Sequence, residues 1–431
     1  MLIDKQYVKL KTMNIKETIK KFIPKFLLRF YHFCLALLGA VIFGFPGKSK
    51  DIKIIGITGT SGKSTTTDLI TRILEEAGNK VASISTIRFK IADKEWENKY
   101  KMSMPGRFVI QKFLSQAKKH RCQFVVLEVT SEGIRQFRHK FIDFDTAVFT
   151  NLTPEHIESH GGFENYRNEK LKLFRATKNI HVINTDDKNS KYFWDTPAKQ
   201  KIGFSIHPHT RTNIASIYAY NISNNSFGVG VKDAEKIEFD LNLIGDFNIL
   251  NALAAISVAK AYGVDFDTCR KALNKAKGIP GRMEVISESP IKIIIDYAHT
   301  PEQLEAVYKN FKDKNLICVL GSCGGGRDKW KRPVLGEIAK KYCKEIIITN
   351  EDPYDEDPME IINQVAETAG PKAKKILDRK EAIKFSIKLA EPGDIVIITG
   401  KGSEPWMCLE NGRKIPWDDR QIAREILNKI N

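Results

Sequence analysis

The chain has no Cys-x-x-Cys pair, no low-complexity tract, no internal repeat at solenoid spacing and no long Lys/Arg run interleaved with aromatics. Each absence closes a class. Seven cysteines scattered from Cys34 to Cys408 exclude a zinc ribbon and fit reduced thiols in a cytosol. Without a repeat there is no solenoid to expect. Without basic-aromatic runs or a recognition motif, nucleic acid is not an expected partner. Long apolar runs are scarce too. The one near-continuous stretch, Phe30 to Pro46, stands at the lower limit for a bilayer span, and no small-residue cleavage site follows it.

What is present is an ordinary globular composition, with 42% hydrophobic and 28% charged residues over 431 positions, enough for two or three cores. The net charge of +17 is read in two ways: lysines spread over solvated faces, or attraction to an anionic substrate or membrane surface. The apolar stretch leaves three readings open: a helix docked on the protein, an in-plane anchor flanked by Lys20, Lys21, Lys25 and Arg29, or a true span.

After Pro46-Gly47 short apolar strands alternate with amphipathic helices, the pattern of a parallel sheet covered on both faces. The expected fold is α/β. It has a central P-loop-type parallel-sheet domain over 48–280, preceded by a basic and apolar segment, 1–47. A β-rich flap, Lys201–Asp240, belongs to the central domain. A second, Rossmann-like α/β domain covers 281–431, with the boundary near Gly278–Gly281.

The sharpest local signal runs from Gly56 to Thr66, GITGTSGKSTT. It follows a strand and opens a helix, the context a phosphate loop requires. Gly59, Thr60, Ser61, Gly62, Ser64 and Thr65 bring backbone amides and hydroxyls to phosphate oxygens at a helix N-terminus. Lys63 reaches the β- and γ-phosphates, and the Ser64 hydroxyl is placed for Mg²⁺. The strict spacing needs glycine at 57, where isoleucine stands. Downstream lie Glu128 at a strand end, then Asn151, His156 and His160, then a helix carrying Lys170. Oxygen and imidazole donors beside a phosphate site suit divalent cations, which relieve the crowding of negative charge.

The loop variant T-G-T-x-G-K-[ST] and the block from Glu128 to Phe174 resemble the Mur ligases, most closely those that add the third residue of a muramoyl-peptide. Folylpolyglutamate synthetases share the loop. The blocks GDFNILNA, IPGRME, DYAHTP, GSCGGGRD and GKGSE extend the resemblance over about 52–431. It implies an ATP-dependent ligase of peptidoglycan precursor synthesis that forms an amide through an acyl phosphate.

By that resemblance ATP meets the phosphate loop, Asn151, Asn248, Asn251, Arg282 and Asp296. Glu128, His156, Ser64 and a carbamylated Lys170 hold Mg²⁺, two ions in all. Lys63, Glu128, His156 and Lys170 form the catalytic group. Thr130, Ser131, Gln136 and Arg138 contact the muramoyl-peptide, and Arg327, Asp352, Tyr354, Gly400 and Glu404 the incoming free amino acid. Glu132 stands where the family usually has histidine. Tyr354 stands where members using meso-diaminopimelate carry arginine, and Ser403 where they carry histidine. Tyrosine cannot supply a bidentate carboxylate contact, so a different amino acid or binding mode is expected.

The family's N-terminal UDP-holding domain has no counterpart in the first fifty residues. The acceptor is therefore expected to be UDP-linked or lipid-linked, with 15–46 docking on a bilayer and the protein cytoplasmic, at the inner face of the membrane. Rival readings are a folylpolyglutamate-synthetase-like ligase, a lipid II amidating ligase (disfavoured by the absent Cys-x-x-Cys) and a non-catalytic ATP-binding membrane scaffold.

Overall fold

The computed structural model describes residues 24–100, 102–207, 215–223, 226–231 and 236–430. Lys20 and Lys21 of the expected basic flank lie outside these, as do residues 15–19. Among the described residues two sheets dominate. The larger has eleven strands, in the order Lys236–Asp240, Ser226–Val231, Ala215–Ser223, Gln200–Ser205, Ile180–Asn184, Thr146–Phe149, Lys53–Thr58, Phe124–Glu128, Val81–Ile84, Arg88–Ile91, Lys94–Glu97. Its centre is parallel, with Ile55 registered against Val126 on one side and Thr146 on the other. The Lys53–Thr58 strand is buried from its second residue onward, which is why it reads as a continuous apolar run.

The expected β-rich stretch is present, and the structure shows how it attaches. Gln200–Ser205 pairs parallel to Ile180–Asn184, Ala215–Ser223 continues parallel, and two antiparallel strands follow. It extends the central sheet and packs into the same core as the Asp246–Ala261 helix. The hairpin Arg88–Glu97 finishes the other edge.

The second sheet runs Glu284–Ser287, Lys292–Ile295, Ile395–Ile398, Leu316–Leu320, Glu345–Thr349, Lys374–Ile376 and is parallel except for its first strand. Apolar clusters cover both its faces. Arg379 ties its rim together: the guanidinium donates to both Asp419 oxygens at 2.9 and 2.7 Å and to the Thr399 carbonyl at 2.7 Å. Both partners are fully buried, where the bidentate geometry offsets the desolvation of the charges.

The apolar N-terminal stretch forms the helix Lys25–Ile42. Ala36, Gly39 and Ala40 are its buried seat. Small residues let the backbones approach, and a Cβ at Gly39 would stand 3.7 Å from the Arg107 carbonyl. No described helix is long and apolar enough to cross a membrane, so the spanning reading is corrected: the stretch seats one face on the protein.

Candidate active site

The two sheets face each other across a cleft of ≈ 550 Å³. Its walls are the loops leaving the C-terminal ends of Lys53–Thr58, Phe124–Glu128, Thr146–Phe149, Lys292–Ile295, Leu316–Leu320, Glu345–Thr349 and Ile395–Ile398. Ligands of open α/β sheets collect at such ends. Of the residues singled out in the sequence, Thr60, Ser61, Gly62, Lys63, Ser64, Thr65, Glu128, Thr130, Gln136, Arg138, Asn151, His156, Asn248, Asn251, Arg282, Asp296, Arg327, Asp352, Gly400 and Glu404 line it. Gly59, Ser131, Lys170 and Tyr354 stand behind the wall.

The phosphate loop is braced from below. Asn151 Oδ1 accepts from the Ser61 amide at 2.9 Å and from its hydroxyl at 3.1 Å, and the Thr60 amide donates to the Asn151 carbonyl at 2.9 Å. Gly62 caps the Lys63–Glu76 helix with φ 79°. A Cβ there would meet Asn251 Oδ1 at 2.3 Å, and one at Gly59 would meet Thr150 Oγ1 at 1.9 Å. Asn251 is itself held: its Oδ1 accepts from Thr66 Oγ1 at 3.2 Å and its Nδ2 donates to Asn248 Oδ1 at 3.0 Å. The loop is thus a backbone cradle with no room for a side chain. Lys63 Nζ folds onto the Gly59 and Thr60 carbonyls at 2.9 and 2.8 Å. Burial lowers its pKa, against the pull of Glu128 and Glu155.

Glu128 is buried, and the Thr86 amide donates to its Oε1 at 2.8 Å and the Thr86 hydroxyl to its Oε2 at 3.3 Å. Burial pushes the His156 pKa down to about 4, despite Glu155 beside it. At neutral pH the imidazole therefore keeps a lone pair for a metal or a proton. Lys170 is 2% exposed and donates to the Gly59 carbonyl at 2.8 Å. Burial, with Lys63 nearby, holds its pKa well below the ordinary lysine value. Among the described residues no group of three or more His, Cys, Asp or Glu is gathered as a ready metal site. The donors that suit Mg²⁺ are hard oxygens and one imidazole facing the cleft, and a plain lysine amine does not add to them.

On the wall that follows Phe124–Glu128, Thr130 caps the short helix Ser131–Arg135 through the Gly133 amide at 3.1 Å. Ser131 Oγ meets His160 Nε2 at 3.0 Å. Arg138 donates to the Met104 carbonyl and, at 2.8 Å, to Gln136 Oε1. Glu132 faces the cleft and accepts from Gln136 Nε2 at 2.6 Å.

Across the cleft, Arg282 stacks 4.1 Å over the Tyr297 ring with its Nη1 buried and unpartnered. Asp296 accepts from the Met283 and Ala298 amides at 2.8 and 2.7 Å, and burial raises its pKa. Lys401 joins Asp352 and Glu404 at 2.8 Å each. Glu351 Oε1 accepts from the Cys323 thiol at 2.7 Å while its Oε2 is buried without a partner. Tyr354 adopts φ 52° and lies against Gly325, outside the cleft.

The sequence reading missed the bridge between the two halves. Glu155 Oε1 accepts from His299 Nε2 at 3.0 Å. Burial works against its charge, yet His156 and His299 hold its pKa well below the usual carboxylate range. Asp328 accepts from the Ile157 and Glu158 amides at 3.2 and 3.1 Å, and Lys331 Nζ donates to the His299 carbonyl at 3.0 Å. Glu155, His299 and Asp328 lay inside quoted motifs, but nothing local marks them as partners.

Comparison with known proteins gives this geometry its context. The Mur ligase middle domain matches residues 57–259, and the Mur ligase glutamate ligase domain matches 281–402. A UDP-N-acetylmuramoyl-L-alanyl-D-glutamate–2,6-diaminopimelate ligase of Syntrophomonas wolfei is 37% identical over 405 residues, covering 91% of this chain and 81% of that protein. A solved structure of a ligase of that name has 30% identity and TM-score 0.60, covering 88% of this chain and 79% of the other. A Mycobacterium tuberculosis folylpolyglutamate synthase structure shares the fold, with TM-score 0.69 at 16% identity over 85% of this chain and 92% of its own. Two domains matched in order around one cleft, on a sequence alike over nine-tenths of its length, place this chain in the Mur ligase family of ATP-dependent, amide-forming ligases.

Proposed function

We propose that the cleft joins the terminal carboxylate of a muramoyl-peptide to a free amino acid, in peptidoglycan precursor synthesis. The observation that carries this reading is the backbone cradle around Gly62, with Lys63 in the same cleft as Arg327 and the acceptor-side Arg138. A carboxylate oxygen of the acceptor attacks the γ-phosphorus of ATP. The bond to the β-phosphate oxygen breaks, and ADP and an acyl phosphate form. The amine, having lost its proton, adds to the acyl carbon, and the C–O bond breaks as phosphate leaves with the electron pair. The protein supplies position and charge compensation. Lys63 leaves the loop carbonyls for the phosphates, and Asn248, Asn251, Arg282 and Asp296 serve the nucleotide. Thr130, Ser131, Gln136 and Arg138 hold the acceptor.

Ser64, Glu128, His156 and Lys170 would hold Mg²⁺, which when bound neutralises the phosphate charge. Lys170 fits as a carbamate. Its depressed pKa leaves a neutral amine, the form that adds CO₂, and the product carries the anionic oxygens that the amine lacks. A carbamate would add its oxygens to those of Ser64 and Glu128 as ligands for two ions. Residues 1–47 form the basic and apolar segment that docks on a membrane, 48–280 bind ATP and acceptor, and 281–431 bind the amino acid, with Arg282 and Asp296 reaching back to the nucleotide.

The Syntrophomonas wolfei relative is named for 2,6-diaminopimelate. For this chain another amino acid, or another mode of binding, fits better. Arg327, Asp352, Gly400 and Glu404 face the cleft while Tyr354 does not, so position 354 offers no cation to a second carboxylate. The acceptor is carried on UDP or on a lipid, and a lipid carrier calls for a position at the inner face of the membrane.

The test is phosphate release from ATP and Mg²⁺ with a UDP-N-acetylmuramoyl-dipeptide and a panel of single amino acids, with Lys63→Ala alongside. Acceptor-dependent release that the variant loses supports the reading. Tight ATP binding with no release for any acceptor would sink it, and a clear preference for meso-diaminopimelate would overturn the specificity.

A further inference from the structure

The helix Lys25–Ile42 is apolar on two faces, and among the described residues only one of them is covered. Opposite the seat at Ala36, Gly39 and Ala40, nine large apolar side chains from Phe26 to Ile42 are 37–69% exposed, Phe26, Phe30, Tyr31 and Ile42 most fully. They follow one another at helical spacing as a single broad stripe. Contiguous apolar surface of this kind on a folded chain marks a contact. We propose that this stripe lies in the plane of an anionic lipid bilayer.

Charge selects that occupant. The stripe's surroundings are cationic: Arg29 sits over the Phe137 ring at 5.9 Å, Lys48 over the Phe45 ring at 5.8 Å, and Lys140 and Lys112 are exposed on the neighbouring segment and helix. The sequence preceding the helix, residues 1–23, contributes six lysines against one aspartate and one glutamate. Asp51, Glu132, Asp143 and Asp145 are acids in the adjoining sequence, fewer than these cations. Lipid headgroups of negative sign attract such a rim, and acyl chains take the stripe. No described helix is long and apolar enough to cross a membrane, and the seat at Ala36, Gly39 and Ala40 holds this one along the protein surface, which suits an in-plane position.

The geometry also says which part of the enzyme meets the lipid. Phe33 packs its ring against Phe137 and Phe141 at 6.0 and 5.7 Å. Arg107, whose carbonyl would lie 3.7 Å from a Cβ at Gly39, donates to the Gln136 carbonyl at 3.0 and 2.7 Å. Gln136 and Arg138 line the cleft. The stripe is thus built onto the acceptor side of the site, and a bilayer beneath it lies beside the acceptor's entry. This surface does not depend on the reaction assigned to the cleft.

The experiment is flotation of the full chain with vesicles of phosphatidylcholine alone and of phosphatidylcholine with phosphatidylglycerol. It compares wild type with Phe30→Glu/Leu38→Glu, both exposed positions. Phosphate release with the soluble acceptor is measured in parallel and reports on the cleft separately. Wild type is expected to float with the anionic vesicles. The double variant is expected to bind them at least about tenfold less, with salt weakening what remains and its phosphate release unchanged. Wild type that fails to float, or a double variant that floats equally, overturns the proposal. So does a concentration-dependent dimer that the double variant abolishes, since a second copy would then cover the stripe.

Discussion

Gly62→Ala separates the two things glycine does in the phosphate loop. Gly62 has φ 79° and Gly78, at the other end of the same helix, has φ 81°. Alanine at either site carries the left-handed cost of about 1–2 kcal/mol. At Gly78 nothing lies within 4 Å of the added carbon, so that cost is all. At Gly62 the carbon would stand 2.3 Å from Asn251 Oδ1. The amide has to move, and its bonds to Thr66 and Asn248 go with it. Two buried hydrogen bonds at about 1 kcal/mol each bring the total for Gly62→Ala to roughly 3–4 kcal/mol. Part of it appears as lower stability and the rest as a displaced loop. Urea denaturation read beside phosphate release in an ATP titration measures both. Gly78→Ala is expected to lose about 1 kcal/mol or slightly more of stability and keep its activity. Gly62→Ala is expected to lose about a hundredfold in kcat/KM for ATP, at 1.4 kcal/mol per tenfold. If Gly62→Ala matches Gly78→Ala in stability and releases phosphate within a few-fold of wild type, the loop is not the phosphate cradle.

Two further outcomes follow from buried groups. Lys170→Ala is expected to remain folded and to lose phosphate release by about a hundredfold or more. Wild type stripped of CO₂ is expected to slow and to recover on adding bicarbonate; a wild-type rate indifferent to bicarbonate argues against the carbamate. His139 is 5% exposed with its Nδ1 unpartnered, and burial, with Lys140 and Lys172, pushes its pKa down to about 3. The unfolded chain takes up that proton near the ordinary value of 6.5 and the folded chain refuses it, so stability is full above 6.5 and falls as pH descends toward 3. The slope is at most about 1.4 kcal/mol per pH unit for one proton. His139→Asn is expected to flatten the decline of urea stability between pH 6.5 and 5, and an unchanged slope would refute the assignment.

The phosphate loop was legible in the sequence because its logic is local. Gly59, Gly62, Lys63 and Ser64 work through spacing along eleven residues, and a strand before and a helix after are enough to aim them. The alternation of strands and helices was legible because strands buried on both faces must be continuously apolar. Glu128 was legible as a strand-end carboxylate for the same reason.

Tertiary structure alone decided the rest. Glu155 and His299 are 144 residues apart in the chain, and Asp328 lies 170 residues from the Glu158 amide it accepts. Such pairs leave no periodic trace, because their geometry exists only once two sheets face each other. The sequence placed Tyr354 at an arginine position, but its turn out of the cleft depends on a left-handed backbone and on Gly325. The apolar stretch from Phe30 shows the division most plainly. Composition established that it would leave water, and three destinations remained. Folding chose by shape: Ala36, Gly39 and Ala40 are small enough for one side of the helix to seat on Arg107–Lys119, while most of the bulky side chains opposite are left exposed among the described residues.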